Sequence, residues 1–126
     1  MNIHTLRISE PRSEMSTAVA IAQDLERRER VRVHNKRLAR QSLATKLRVG
    51  AGTVENLVRG RVKRIDAAVR DRLQALLIRE LETEIVRLSH ELQVARQCGN
   101  HLASDQIGEV EAHLEAARMM LSGVTR

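Results

Sequence analysis

The sequence predicts an all-α protein. Ala, Leu, Arg, Glu and Gln, all good helix formers, dominate its 126 residues. No strand-length run alternates Val, Ile or aromatic residues with polar ones. Residues 67–98 contain neither Pro nor Gly, while apolar side chains recur there at helical spacing. With 42% hydrophobic residues, one Pro and six Gly, the chain suits one compact domain or a small domain joined to an extended helical element.

Taken from the N-terminus, Met1 to Pro11 shows no helical period and ends at the single proline, so residues 1–12 read as a flexible arm. Ser13 is a cap for a helix reaching about Arg32, with Met15, Val19, Ala22 and Leu25, or Ile21 and Leu25, as its apolar stripe. Val33 to Arg37 is the expected break. Residues 13–65 are then one domain, and 66–126 a second region.

The most informative stretch is ARQSLATKLRVGAGTVENLVRG, Ala39 to Gly60. Two short helices that cross steeply need a small residue where their backbones approach, and Ala44 supplies it. Leu43, Leu47 and Val49 from the first helix and turn, with Val54 and Leu57 from the second, form the inward set. Gly50, Ala51 and Gly52 make an unobstructed turn, and Thr53 is the expected cap of the second helix. This is the pattern of a helix-turn-helix.

The stretch resembles the helix-turn-helix of phage-repressor-like (XRE-type) transcriptional regulators, with Leu43-Ala44, Val49, Thr53-Val54, Leu57 and Arg59-Gly60 at family positions. The resemblance covers the 22 residues quoted. Arg48 stands where that family usually has glycine at the end of the first helix. Gly50-Ala51-Gly52 stands where base-reading polar side chains are often found, which makes direct readout sparse. The resemblance implies a second helix that presents Thr53, Glu55, Asn56 and Arg59 to the major groove, Asn56 favouring adenine and Arg59 guanine. Arg40, Gln41, Ser42, Lys46, Arg61, Lys63 and Arg64 would then hold phosphates.

Charge agrees with that expectation. The chain is +6, yet Arg27 to Arg64 carries 13 Lys/Arg against Glu29 and Glu55, a net +11 that leaves the rest at net −5. Segregated positive charge is what displaces condensed counterions from a duplex. The absence of Phe, Tyr and Trp removes the usual stacking platforms for single-stranded bases, so double-stranded DNA is the expected polyanion.

Asp66 is the expected N-cap of a long helix. Along it Ile78, Leu81, Ile85, Leu88, Leu92 and Ala95 keep a 3,4,3,4,3 spacing, and Gly99-Asn100 is the expected stop. Ala103, Ile107, Val110, Leu114, Ala117 and Leu121 repeat at 4,3,4,3,4. Two matched stripes across a short turn predict an antiparallel helical hairpin, which needs a partner because each helix buries one face. A homodimer is expected, with Ile78, Leu81, Ile85, Leu88, Leu92, Ile107, Val110, Leu114 and Leu121 as its interface. It would read a palindromic operator with half-sites about 34–36 Å apart.

Other chemistries find little support. Cys98, His90, His101 and His113 lack any paired metal-ligand spacing, so neither a metal nor a cofactor is expected. No nucleophile-base grouping stands out, and the protein is not expected to be an enzyme. The longest apolar run, Ala18 to Ala22, is far short of the ~20 residues of a membrane span, and a cytoplasmic, nucleoid-associated protein is expected. The leading expectation is a sequence-specific DNA-binding regulator, a repressor by preference. The alternatives are a protein-interaction module, such as an antitoxin or assembly adaptor gripping a regulatory partner through the C-terminal helices, and an architectural duplex binder of low sequence preference.

Overall fold

A computed structural model describes the backbone of residues 3–98 and 104–125, and the side chains of 16–97 and 106–125. Among the described residues there are five helices and no strand: α1 (Ile3–Val33), α2 (Lys36–Leu47), α3 (Ala51–Val58), α4 (Ala67–Cys98) and α5 (Ser104–Val124). The all-helical expectation is met. No helix among the described residues is long and apolar enough to cross a membrane.

The start of α1 corrects the expectation of an arm over 1–12. The helix begins at Ile3 and continues through Pro11. A proline withdraws a single N–H from the ladder, and here the turns on either side carry the helix across that gap. Its buried stripe keeps Ala22 and Leu25 of the expected one. Ala18, Ala22 and Leu25 are buried, followed by Glu26 and Glu29, whereas Val19 and Ile21 are half-buried. Two alanines on the inner face let neighbouring helices approach closely. Met15 lies outside the described side chains.

The helices α1, α2 and α3 pack on one another pairwise. From α2 the core takes Ala39, Leu43, Ala44 and Leu47, and from α3 Val54 and Leu57, all at 4% exposure or less. Burying side chains of this size contributes about 1.5–3 kcal/mol each for Leu and Val. Val49 is half-buried. Gln23 Nε2 on α1 donates to the Val58 carbonyl at 2.9 Å, closing α3 against α1.

Among the described residues three helix ends close on one left-handed residue each. His34 (φ 55°) ends α1, and its N–H donates to the Arg30 carbonyl at 2.8 Å. Asn35 caps α2, its side chain accepting from the Leu38 N–H at 3.0 Å. At the end of α2, Arg48 lies at φ 59° and ψ 45°, with Val49 N–H donating to Ala44 O at 3.0 Å and Arg48 N–H to Thr45 O at 3.2 Å. Gly60 (φ 71°) ends α3 in the same way, Arg61 N–H reaching Asn56 O at 2.8 Å and Gly60 N–H reaching Leu57 O at 3.0 Å. Both are Schellman closures. Arg48 therefore occupies the left-handed position that a glycine would fill.

The cap expected at Thr53 is corrected. Helix α3 starts two residues earlier than Thr53, at Ala51, with Gly50 in extended backbone (φ −77°, ψ 156°) as an N-cap that offers no side-chain acceptor. The Gly50 carbonyl takes the Thr53 and Val54 N–H groups at 3.0 and 3.3 Å, which places Thr53 inside the first turn.

The chain divides into two compact units, Met1–Leu76 and Leu77–Arg126. The division falls within α4 and not at residue 65, because the first turns of α4 are tied to the first unit. Arg72 Nη1 donates to the Leu47 carbonyl at 3.2 Å, and Leu73 is wholly buried. Asp66 caps α4 as expected, its Oδ1 accepting from the Ala68 N–H at 2.8 Å.

In the second unit Leu88, Leu92 and Leu114 form a cluster on which Ile85, Ile107 and Val110 pack. Arg96 Nη2 meets Glu111 Oε2 at 3.3 Å beside it. Part of each apolar stripe, Ile85 to Leu92 and Ile107 to Leu114, thus shares one cluster within the chain. Leu81 is buried, and Ile78, Ile85, Ile107, Val110 and Leu121 keep partial exposure. Leu73 and Leu77, absent from the expected stripe, are buried as well. The expected stop at Gly99-Asn100, and Ala103, lie outside the described residues.

Candidate nucleic-acid interface

The outer side of α2 and α3 is built on an ion-pair lattice inside the first unit. Glu26 and Glu29, each 3% exposed, continue the inner face of α1 and point their carboxylates at α2. Glu26 Oε2 accepts from Arg40 Nε at 2.6 Å and Oε1 from Arg30 Nη2 at 2.5 Å. Glu29 Oε2 accepts from Ser42 Oγ at 3.0 Å, while its Oε1 takes Arg32 Nη1 at 2.8 Å and Lys46 Nζ. A buried carboxylate stays ionised only when such donors surround it. Burial alone raises the Glu29 pKa, but hydrogen bonds from Lys46 and Ser42 and the charges of Lys46 and Arg32 outweigh it and hold the group below the usual carboxylate value.

This lattice sorts the residues expected to hold phosphates. Arg40, Ser42 and Lys46 are engaged by the buried glutamates, and Arg40 keeps only 14% side-chain exposure. Gln41, Arg61, Lys63 and Arg64 are exposed. Among the residues expected to meet bases, Thr53 and Asn56 are exposed on α3. Glu55 and Arg59 are paired with each other, Arg59 Nη2 lying 3.0 Å from Glu55 Oε1, and Arg40 Nη1 lies 3.6 Å from the same oxygen. Two of the four base-facing candidates are thus joined to each other and to α2, and the other two stand apart from them.

The sequence reading missed Glu26 and Glu29, and it left Lys36 and Arg37 out of the site. Lys36, Arg37, Arg40 and Gln41 on α2 face Ala51, Gly52 and Glu55 on α3 across a cleft of about 350 Å3. A signal for the glutamates existed. They stand four residues after Ala22 and Leu25, so they extend the apolar stripe with acids in place of leucines. Asp24 likewise pairs with Arg27 and Arg28. Residues 24–64 therefore hold thirteen cations against four acids, a net +9, and that is a fairer measure of the local field than the +11 of a window opening at Arg27.

Comparison with protein-family models, with curated proteins and with solved structures finds no match.

Among the described residues no three His, Cys, Asp or Glu side chains gather as metal ligands would. Cys98 and His101 lie outside the described side chains. What the surface presents is a set of exposed cations beside the exposed Thr53 and Asn56 of α3, in a sequence without aromatic side chains.

Proposed function

We propose that this protein is a sequence-specific regulator of transcription that binds double-stranded DNA, acting as a homodimeric repressor on a palindromic operator. On this reading α2 and α3 are a helix-turn-helix, and α3 lies in the major groove. The observation that carries it is the division of α3 into two faces. Val54 and Leu57 seal the inner one, while Thr53 and Asn56 stand exposed on the outer one beside a basic surface. Asn56 supplies the amide that pairs bidentately with adenine, and Arg61, Lys63 and Arg64 follow α3 as exposed cations for phosphates.

The second unit is the dimerisation element, an antiparallel hairpin of α4 and α5. Two helices form one layer and cover one face each. A groove of about 550 Å3 over Leu92, Val94, Ala95, Ile107 and Val110 supports a second copy as the missing layer. Nucleoid association follows from the DNA reading.

Selection of duplexes from a random-sequence pool by the full chain tests this. The expected result is a recurring motif with two-fold symmetry and half-sites about 34–36 Å apart or a multiple of that, bound with an affinity that falls steeply with salt. Asn56→Ala should relax one base position by about 1–3 kcal/mol. A pool that returns unenriched but bound points to an architectural binder. No retention at low salt removes DNA from the function and leaves the C-terminal helices, with Val86, Met119 and Met120 exposed, as a protein-binding module.

A further inference from the structure

We infer that Glu55 is a specificity-determining residue that acts as an internal stand-in for a phosphate, holding Arg59 against DNA that offers only its backbone. The inference rests on the DNA-binding reading above and assigns a regulatory element within that surface.

Three observations converge on it. Glu55 Oε1 is the shared ion-pair partner of Arg59 Nη2 at 3.0 Å and Arg40 Nη1 at 3.6 Å. Glu55 and Arg59 are 41% and 44% exposed, so the pair forms at the solvent-facing side of α3 and not in the core. Glu55 also lines the cleft that Lys36, Arg37 and Arg40 line, so an approaching polyanion meets it beside three cations. A carboxylate oxygen and a phosphate oxygen present the same acceptor to a guanidinium.

The two arginines are held differently. Arg40 is anchored from behind by buried Glu26, so losing Glu55 leaves it in place. Arg59 caps the end of α3, and Glu55 is its ion-pair partner one helical turn back. A random duplex that draws Arg59 onto a phosphate exchanges one anionic partner for another and must also accept Glu55 as a like charge beside its backbone. A cognate duplex adds a base edge for Arg59 and so compensates for the pair it breaks. Glu55 therefore lowers non-specific affinity more than specific affinity.

The test compares the full chain with Glu55→Gln, Arg59→Ala and the double variant for binding to a short random-sequence duplex across a salt series. Glu55→Gln should raise that affinity roughly threefold to tenfold and steepen the salt dependence by about one phosphate contact. In the Arg59→Ala background the gain should largely vanish, because no arginine remains to be released. A gain of equal size in both backgrounds makes Glu55 a simple repulsive charge and overturns the inference, as does no gain at all. On adding random duplex, the Nε–H NMR signal of Arg59 should stay in place in the unsubstituted protein and move in Glu55→Gln; a signal that moves as far in the unsubstituted protein as in Glu55→Gln also overturns it. Failure of both the wild-type chain and Glu55→Gln to bind duplex at low salt removes the DNA reading together with the inference, whereas binding without the Glu55 effect removes the inference alone.

Discussion

Arg40 Nε donates to Glu26 Oε2 at 2.6 Å, an ion pair that joins α2 to α1 across 14 residues of chain with the carboxylate 3% exposed. The pair fixes how α2 is turned on its support, and so which of its cations face outward.

Breaking this pair from one side should hurt more than replacing it. Glu26→Met leaves the Arg40 guanidinium half-buried beside an apolar chain and should lower unfolding free energy by about 3 kcal/mol, read from denaturant midpoints at constant slope. Adding Arg40→Leu to it should restore part of that loss. Additive losses in the double variant would refute the coupling.

Glu29 makes the fold sensitive to acid. Its folded pKa lies below the ordinary 4.5, so the stability it contributes is whole above about pH 4.5 and is lost as pH falls through the lower folded value. Lys46→Met removes one of the groups that hold the pKa down, and should flatten the decline of stability below pH 4.5. Equal slopes for the two proteins in acid denaturant titrations would show that other carboxylates govern the decline.

The left-handed joints give a pair of opposite outcomes. Arg48→Gly relieves a β-carbon at φ 59° and should raise stability by about 1 kcal/mol, or a few degrees in Tm. Gly60→Ala imposes that strain at φ 71° and should lower stability by about as much, with no steric addition, since nothing lies within 4 Å of the new carbon. Thermal melts of both variants check the sign.

Truncations should rank by enclosure. Leu57→Ala, at 1% exposure between three mutually packed helices, should cost about 3–4 kcal/mol. Leu92→Ala, at 8% and beside an open groove, should cost about 2 kcal/mol because its surroundings can relax and solvent can enter. A larger loss at Leu92 would indicate that the groove is covered in solution.

Helix positions were legible wherever local chemistry sets them. The carboxylate of Asp66 marks the start of α4 because an exposed N-cap needs no tertiary partner, and the break between Val33 and Arg37 is where His34 and Asn35 turn the chain. Thr53 misled because a hydroxyl is the better cap in isolation, while the extended Gly50 turns its carbonyl to the Thr53 and Val54 N–H groups and α3 begins sooner. Pro11 misled because a single missing donor does not end a helix of 31 residues. For the candidate site, the exposure of Thr53 and Asn56 follows from the spacing of Val54 and Leu57. The engagement of Arg40, Ser42 and Lys46 does not, because it depends on which α2 side chains meet the inward carboxylates of Glu26 and Glu29, and no spacing within either helix names those partners.

The joints at residues 34–35 and 48–50 are short, and each turns at a single left-handed residue. Such joints have no slack. One added residue must be taken up by the helix that follows, turning it by about 100° and carrying its apolar face toward water. Substitution is tolerated at these joints, as His34 and Arg48 show by standing where glycine is easier, but a change in length is not. Descendants of this chain should therefore diverge in letters long before they diverge in spacing.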